Sequence, residues 1–274
     1  MKGTVVSKIR LDVLLVERGL AESRSQAQRL VMARQVRVDG QVVLRSAANI
    51  SPNSVLTVEH SPRYASRGGE KLDAALQAFG VDVSGRVCAD VGASTGGFTD
   101  CLLQHGASKV YALDVGRGIL DWKLRQDSRV VILEGTNARY VERLPEAVAV
   151  ITIDVSFISL KVLLPVIKSW FFTDGNDNSS LRGAVIPLIK PQFEAGRQQV
   201  GRGKGVIRDL AIHRQVLLDV LGFANRQGYA VHGLIRSPLV GPKGNVEFLT
   251  WLEYPGEQTG SLEGWVDSVL SEAG

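Results

Sequence analysis

The stretch Asp90-Val91-Gly92-Ala93-Ser94-Thr95-Gly96-Gly97-Phe98-Thr99 constrains this chain more than any other. It follows the apolar run Val87-Cys88-Ala89 and leads into a helical pattern, which reads as strand, glycine turn and helix N-terminus. Glycines there let the backbone turn tightly and let a ligand approach with no Cβ in the way. The free N–H groups that open the helix favour polar or anionic groups. Such a turn suits a nucleotide-like cofactor; the competing reading is a tight β–α turn whose glycines serve packing alone. The dinucleotide fingerprint G-x-G-x-x-G needs glycine at position 94, where this chain has Ser94, so the spacing speaks against a nicotinamide dinucleotide.

From Val87 onward apolar runs alternate with helical patterns, at 87–91, 109–114, 130–134, 148–153, 184–189, 229–235 and 246–252. That alternation predicts an α/β domain, a parallel sheet covered on both faces. The last two runs are joined by residues 237–245, too short a link for a covering helix, so the final strand is expected to be antiparallel. Asp90 ahead of the glycines, and Asp114 closing the run Val110-Tyr111-Ala112-Leu113, resemble S-adenosylmethionine (SAM) methyltransferases, whose Rossmann-like sheet has seven strands with the last reversed.

Ahead of this domain lies a smaller module. Residues 1–66 hold ten Lys and Arg against five Asp and Glu, and residues 67–274 hold twenty-two against twenty-three, so the net charge of +4 sits in the first quarter. A basic module of this kind suits docking to a polyanion such as nucleic acid. Leu11, Leu14 and Leu15 share a helical face that Gly19 ends. Ser23 caps a second helix, with Gln26 in capping-box position and Ala27, Leu30 and Val31 as its stripe. Asp39-Gly40 between Val36-Arg37-Val38 and Gln41-Val42-Val43 signals a hairpin, and Ile50 to Val58 a further strand. This order, from Lys8 to about Glu59, resembles the α+β S4 RNA-binding domain, with Gln35 where that family usually has glycine. The resemblance implies that Arg10, Arg18, Arg24 and Arg37 grip RNA phosphates; for each arginine the competing reading is a solvated surface charge. The expected organisation is an S4 domain at 1–60, a linker at 61–66, the methyltransferase domain at 67–255 and a polar tail at 256–274 with one short amphipathic stretch.

Polar residues at the carboxyl ends of strands are the candidates for chemistry in such sheets. Asp154 ends the run Val150-Ile151-Thr152-Ile153, Lys190 ends Val185-Ile186-Pro187-Leu188-Ile189, and both are costly to bury unless they meet. Glu247 falls within the last run. Lys71 falls in the first turn of a helix marked by Leu72, Ala75, Leu76 and Phe79, where a cation opposes the helix dipole. The order Lys71, Asp154, Lys190, Glu247 resembles the K-D-K-E tetrad of FtsJ-like ribose 2′-O-methyltransferases. The segments Ser66 to Lys71, Asp90 to Thr99, Thr136 to Arg139, Asp154 to Leu160, Lys190 to Glu194 and Gly244 to Glu247 resemble the TlyA/haemolysin A family.

This resemblance implies a SAM-dependent methyltransferase that places a methyl group on the ribose 2′-hydroxyl of cytidine in 16S ribosomal RNA, 23S ribosomal RNA or both. Lys190 would be the base, oriented by Asp154, with Lys71 and desolvation favouring its neutral form and Glu247 completing the charge balance; a charged Lys190 would instead bind the developing oxyanion. Asp90, Gly92, Ser94, Gly96 and Gly97 would hold the methionine end of SAM and Asp114 its ribose hydroxyls. Asn137 and Phe157 would flank adenine, unless Phe157 is core. Where base-amine methylases carry D/N-P-P-Y/F, this chain has Asp154-Val155-Ser156-Phe157, which argues against nitrogen chemistry. Arg67 and Arg197 are further expected RNA contacts, Arg197 from a glycine-rich basic loop at 191–208 that either closes over RNA or is an exposed linker.

Cys88 and Cys101 are the only two cysteines, in neither C-x-x-C nor metal-like spacing, which predicts buried thiols with no disulfide framework and no metal. No signal peptide and no apolar run near the ~20 residues needed to span a bilayer are present, so a soluble cytoplasmic protein is expected, with ribosomal RNA or ribosomal subunits as partner and no evident obligate protein partner. The rival readings are a non-catalytic RNA-binding assembly factor that keeps the SAM fold, and the membrane-lytic role that the haemolysin name suggests, for which no cationic amphipathic segment is present.

Overall fold

A computed structural model describes residues 7–58, 63–171, 182–196 and 205–271, and the chain divides into two units between residues 62 and 63. The first unit runs β1 (Ile9–Arg10), α1 (Leu11–Glu17), α2 (Arg24–Met32), β2 (Val36–Val38), β3 (Gln41–Val42), β4 (Asn49–Ile50) and β5 (Leu56–Val58). Leu11, Leu14 and Leu15 are buried against Ala27, Val31 and Val36. Ser23 Oγ accepts from Gln26 N at 3.2 Å and caps α2, while Gln26 Oε1 accepts from Glu22 N at 2.6 Å. Asp39 and Gly40 both take positive φ, 49° and 81°, which turns β2 into β3. The strand expected over 50–58 is two strands, because the turn Ser51 to Ser54 separates β4, paired with β1, from β5, paired with β2. At the end of α2 the left-handed residue is Arg34 (φ 60°), and Gln35 N returns to Leu30 O at 3.0 Å; glycine at 35 is therefore not what this cap needs.

The second unit contains α3 (Gly68–Phe79), β6 (Val87–Val91), α4 (Gly97–Gln104), β7 (Lys109–Asp114), α5 (Trp122–Gln126), β8 (Val130–Glu134), β9 (Val150–Ile153), α6 (Leu160–Ile167), β10 (Gly183–Ile189), α7 (Pro191–Glu194), α8 (Leu210–Arg226), β11 (Ala230–Arg236), β12 (Phe248–Tyr254) and α9 (Leu262–Ser271). Its seven-stranded sheet has the order β11-β12-β10-β9-β6-β7-β8, and β12 is antiparallel to both neighbours while the other adjacent pairs are parallel. Alternate residues of the central strands face opposite layers: Cys88, Val110, Val150 and Ile186 pack under α3 and α4, whereas Ala89, Tyr111, Ile151 and Val185 pack under α6, α8 and α9. The order reverses between β6 and β9, and that switch point opens the crevice at the carboxyl edge where the glycine turn sits.

Two expectations need correction. The last strand begins at Phe248, so Glu247 precedes it rather than lying inside it. The segment expected as linker is packed from Arg63 on: Tyr64 is buried against Gly69, Ala65 N donates to Asp100 Oδ2 at 2.7 Å, and Arg63 pairs with Asp73 at 2.6 Å. The short amphipathic stretch expected in the tail is α9, whose Val266 and Val269 are buried beside α8. Both cysteines are buried thiols, and burial pushes each up to about 12. Cys101 comes within 4.8 Å of Asp73 and His105, a grouping that cysteine spacing could not suggest; Arg63, His105 and Gln77 already give Asp73 its partners. Among the described residues no helix is long and apolar enough to cross a membrane.

Candidate active site

Strand ends and one helix start bring the four charged residues of the tetrad to a single cavity of about 710 Å³. Lys190 leaves the end of β10 and Asp154 the end of the adjacent β9, so Lys190 Nζ lies 2.6 Å from Asp154 Oδ1 as an ion pair, outside hydrogen-bond angles, and donates to Ser156 Oγ at 3.1 Å. Lys71, in the first turn of α3, donates to Glu247 Oε2 at 2.6 Å. The Glu247 side chain is 1% exposed and that of Lys71 11%, a burial tolerated only because each neutralises the other. Lys71 is thus committed to Glu247 rather than set against Lys190, and the tetrad is two ion pairs.

Backbone geometry makes room for them. A Cβ on Gly241 would lie 2.1 Å from Glu247 Oε1, so glycine at that position is what admits the carboxylate. Asn245, 3% exposed, accepts from Ile207 N and donates to Gly205 O, both at 3.0 Å, which ties the segment before Glu247 to the segment before α8. Glu194 joins the segments after β9 and β10: its carboxylate accepts from Ser159 Oγ at 2.6 Å and Leu160 N at 2.8 Å, capping α6, and burial raises its carboxyl. Ser156, Asn245 and Glu194 lie within the motif segments, but side-chain partners so far apart in sequence leave no local signal.

A second cavity of about 500 Å³ adjoins the first, sharing Gly92, Ser94, Asp154, Ser156 and Phe157 and adding Asp114 and Asn137. Gly92 has φ 85°, and a Cβ there would sit 2.5 Å from Asp154 O. Asp114 braces the turn by accepting from Ser94 N at 2.8 Å and Gly116 N at 2.7 Å, which leaves each oxygen lone pairs for a ligand hydroxyl. Phe157 is not core: it is 90% exposed, has φ 66°, and its ring centroid is 4.8 Å from that of Phe193.

Two of the expected cofactor contacts lie elsewhere. Asp90 is fully buried and lines neither cavity; it accepts from Thr99 Oγ1 at 2.7 Å and Thr152 Oγ1 at 3.1 Å, and burial pushes its carboxyl up to about 7. Gly96 (φ 95°) also lines neither, and a Cβ there would meet Leu124 Cδ1 at 2.1 Å, so its role is to let α5 pack on the turn. Gly97 lines the first cavity and lets α3 approach α4, since its Cβ would meet Gly69 N at 2.9 Å.

Of the expected RNA contacts, Arg67 lines the first cavity and Arg197 falls outside the described residues. In the first unit Arg10 and Arg24 converge on the fully buried Asp12, at 2.9 and 3.2 Å, with Gln28 at 3.0 Å. These donors, Arg10 foremost, hold the Asp12 carboxyl well below the usual carboxylate range. Arg18 donates to Ser54 O and Pro52 O, and Arg37 to Gly40 O. These arginines therefore brace their own unit, and their remaining N–H groups are what a phosphate would find.

Residues 64–254 match the family model described as FtsJ-like methyltransferase and residues 9–56 that of the S4 domain. YqxC of Bacillus subtilis, provisionally named an rRNA methyltransferase, is 48% identical over 257 residues, covering 91% of this chain and 87% of its own. The 16S/23S rRNA (cytidine-2′-O)-methyltransferase TlyA of Mycobacterium tuberculosis is 43% identical over 268 residues, 96% of each chain. A solved structure of a provisionally named hemolysin from Streptococcus thermophilus superposes with a TM-score of 0.71 at 42% identity, covering 98% of this chain and 96% of that one.

Proposed function

This chain belongs to the TlyA/haemolysin A family of S4-domain, FtsJ-like methyltransferases, and we propose that it methylates the ribose 2′-hydroxyl of cytidine in ribosomal RNA, with SAM as methyl donor and ribosomal subunits as its cytoplasmic partners. The observation that carries the reading is the pairing of Lys190 with Asp154 and of Lys71 with Glu247 in one cavity beside the glycine-turn groove. The groove fits SAM: Gly92 opens it where a Cβ would strike backbone, Asp114 and Asn137 supply acceptors, and Phe157 offers an exposed face. When bound, SAM supplies an electrophilic sulfonium methyl group.

The rest is the work of this chain's side chains. A ribose hydroxyl is a weak nucleophile, so a positioned group must handle its proton. Lys190 Nζ takes that role once its own extra proton has passed to solvent, accepting the hydroxyl proton as the oxygen bonds to the methyl group, and Asp154 and Ser156 fix the nitrogen in place. The Lys71–Glu247 pair forms a facing wall whose charges cancel, held by Gln192 at 3.5 Å. Asp90, hydrogen-bonded to Thr99 of α4 and Thr152 of β9, is a positioning residue beneath the turn rather than a cofactor contact.

Single-turnover tritium transfer from labelled SAM to ribosomal subunits tests the reading. Lys190→Ala and Lys190→Arg are both expected to lose transfer while SAM and RNA affinities hold, arginine because a guanidinium does not surrender its proton at accessible pH. Wild-type rates in either variant would remove Lys190 from the chemistry. No transfer by the unaltered protein to any ribosomal particle would favour the non-catalytic assembly factor.

A further inference from the structure

A third cavity, of about 330 Å³, lies beside the first, tetrad-lined one, which on the proposed function is the acceptor cavity, and is lined by Arg208, Leu210, His213, Arg236, Val246 and Phe248 among others. The segment before β12 separates the two by alternation: Asn245 and Glu247 line the acceptor cavity, whereas Gly244, Val246 and Phe248 line this one. The approach to α8 divides likewise, Gly205 facing the acceptor cavity and Arg208 the third. Arg236, Phe248 and Ile189 form one cross-strand row, so Arg236 ends β11 two strand spacings, about 10 Å, from the residue preceding Lys190, on the same carboxyl edge of the sheet.

Among the described residues the charges here are uncompensated. No carboxylate lines the cavity, and neither Arg208 nor Arg236 has an ion-pair or hydrogen-bond partner among the described residues. Asp209, beside Arg208, is turned into the cap of α8, accepting from Ala211 N at 2.8 Å. His213 is 2% exposed and spent on Ile207 O at 3.2 Å, so it forms wall rather than ligand contact. Both arginines are exposed, with an apolar floor of Phe248 and Val246 behind them. Two guanidinium groups on a concave surface match a tetrahedral phosphate with bidentate donors.

We infer that Arg208 and Arg236 form a phosphate subsite that takes the RNA backbone beside the target ribose. The inference rests on the RNA-methyltransferase reading and adds to it a place where the substrate strand is gripped on the second unit. The two tetrad lysines are cancelled by two carboxylates, so the attraction at the acceptor cavity comes from Arg67 and Lys243 in its lining, and Arg208 and Arg236 extend that attraction along the sheet edge.

The test compares Arg208→Ala, Arg236→Ala and their double variant with the unaltered full chain, using ribosomal subunits as substrate. Arg226→Ala, exposed in the last turn of α8 and roughly 25 Å along the helix from its start, is the charge control. Each single variant is expected to raise KM for the subunit roughly tenfold and to lower the slope of log affinity against log salt by about one, with kcat and SAM affinity unchanged and the control like wild type. Arg236→Lys should keep the slope while losing part of the affinity. Should an alanine variant melt early, Arg208→Gln and Arg236→Gln repeat the measurement with a polar chain in place. A double variant with wild-type KM and salt slope, or an Arg226→Ala control that shifts as much, overturns the subsite while leaving the methyltransferase reading intact. Absence of transfer by the unaltered protein overturns that reading and the subsite with it.

Discussion

Removing Glu247 alone should cost far more stability than removing Glu247 and Lys71 together. The pair is 2.6 Å apart and nearly out of water. At an effective dielectric of about 20 the attraction lost is roughly 6 kcal/mol. The adjoining cavity of about 710 Å³ lets water reach the stranded ammonium and offsets part of that, so Glu247→Leu should cost about 3 kcal/mol, at the low end for a broken buried pair. Lys71→Met with Glu247→Leu replaces the charges by side chains of similar volume, and should recover most of the loss. Urea unfolding followed by tryptophan fluorescence is the assay, because Trp122, Trp170, Trp251 and Trp265 all lie in the second unit and report on it alone. Methyl transfer is measured on the same samples. The expected result is a single variant that is unstable and inactive and a double variant that is stable and inactive. A double variant no more stable than the single, or a single variant costing under about 0.5 kcal/mol, would refute the claim that these charges stabilise the fold only as a pair.

Two further outcomes follow from the buried groups around the site. Asp90 has its carboxyl raised from 3.8 to about 7 chiefly by burial, so the folded unit holds a proton that the unfolded chain has released; its contribution is complete below about pH 4 and lost as pH rises towards 7, roughly 4 kcal/mol in all. Urea midpoints at pH 5 and pH 8 should therefore differ less in Asp90→Asn than in wild type, and an equal difference would remove Asp90 as the source. Gly241→Ala should leave SAM affinity unchanged and cut methyl transfer, because its Cβ would stand 2.1 Å from Glu247 Oε1 and push the carboxylate off Lys71; wild-type turnover, measured by the same tritium transfer, would mean that the pair tolerates displacement.

The sheet was legible because its signals are local. Each run of apolar residues between turns became a strand within about two residues of its expected ends, and the short link at 237–245 announced the reversal of β12. Glycines were legible as turn residues but not in their separate tasks. Gly92 clears a backbone carbonyl, Gly96 admits Leu124 and Gly97 admits α3, and those distinctions depend on which element packs from outside the turn. Asp90 shows the same limit from the polar side: an acid before a glycine turn looks like a ligand contact, and only Thr99 and Thr152, one helix and one strand away, show that its oxygens are already taken.

Charge pairing was the least legible feature, since the sequence marks which charges sit at strand ends and not which of them meet. Lys71 and Glu247 are 176 residues apart and form a direct bond, while Arg10 and Arg24, marked as phosphate grips, spend themselves first on Asp12. This changes how attraction of a polyanion must be distributed. With both tetrad lysines neutralised within the cavity and two S4-unit arginines anchored on a buried carboxylate, the field that draws in an RNA strand rests on cations without such a partner, Arg67 and Lys243 in the cavity lining among them. Arg208 and Arg236 meet that condition at the sheet edge, next to the segment that carries Glu247. An enzyme arranged this way separates binding from chemistry: salt should weaken its grip on RNA steeply while leaving the turnover of bound substrate nearly constant, because the Lys190–Asp154 pair proposed to act on the hydroxyl is short, largely shielded from solvent and little screened.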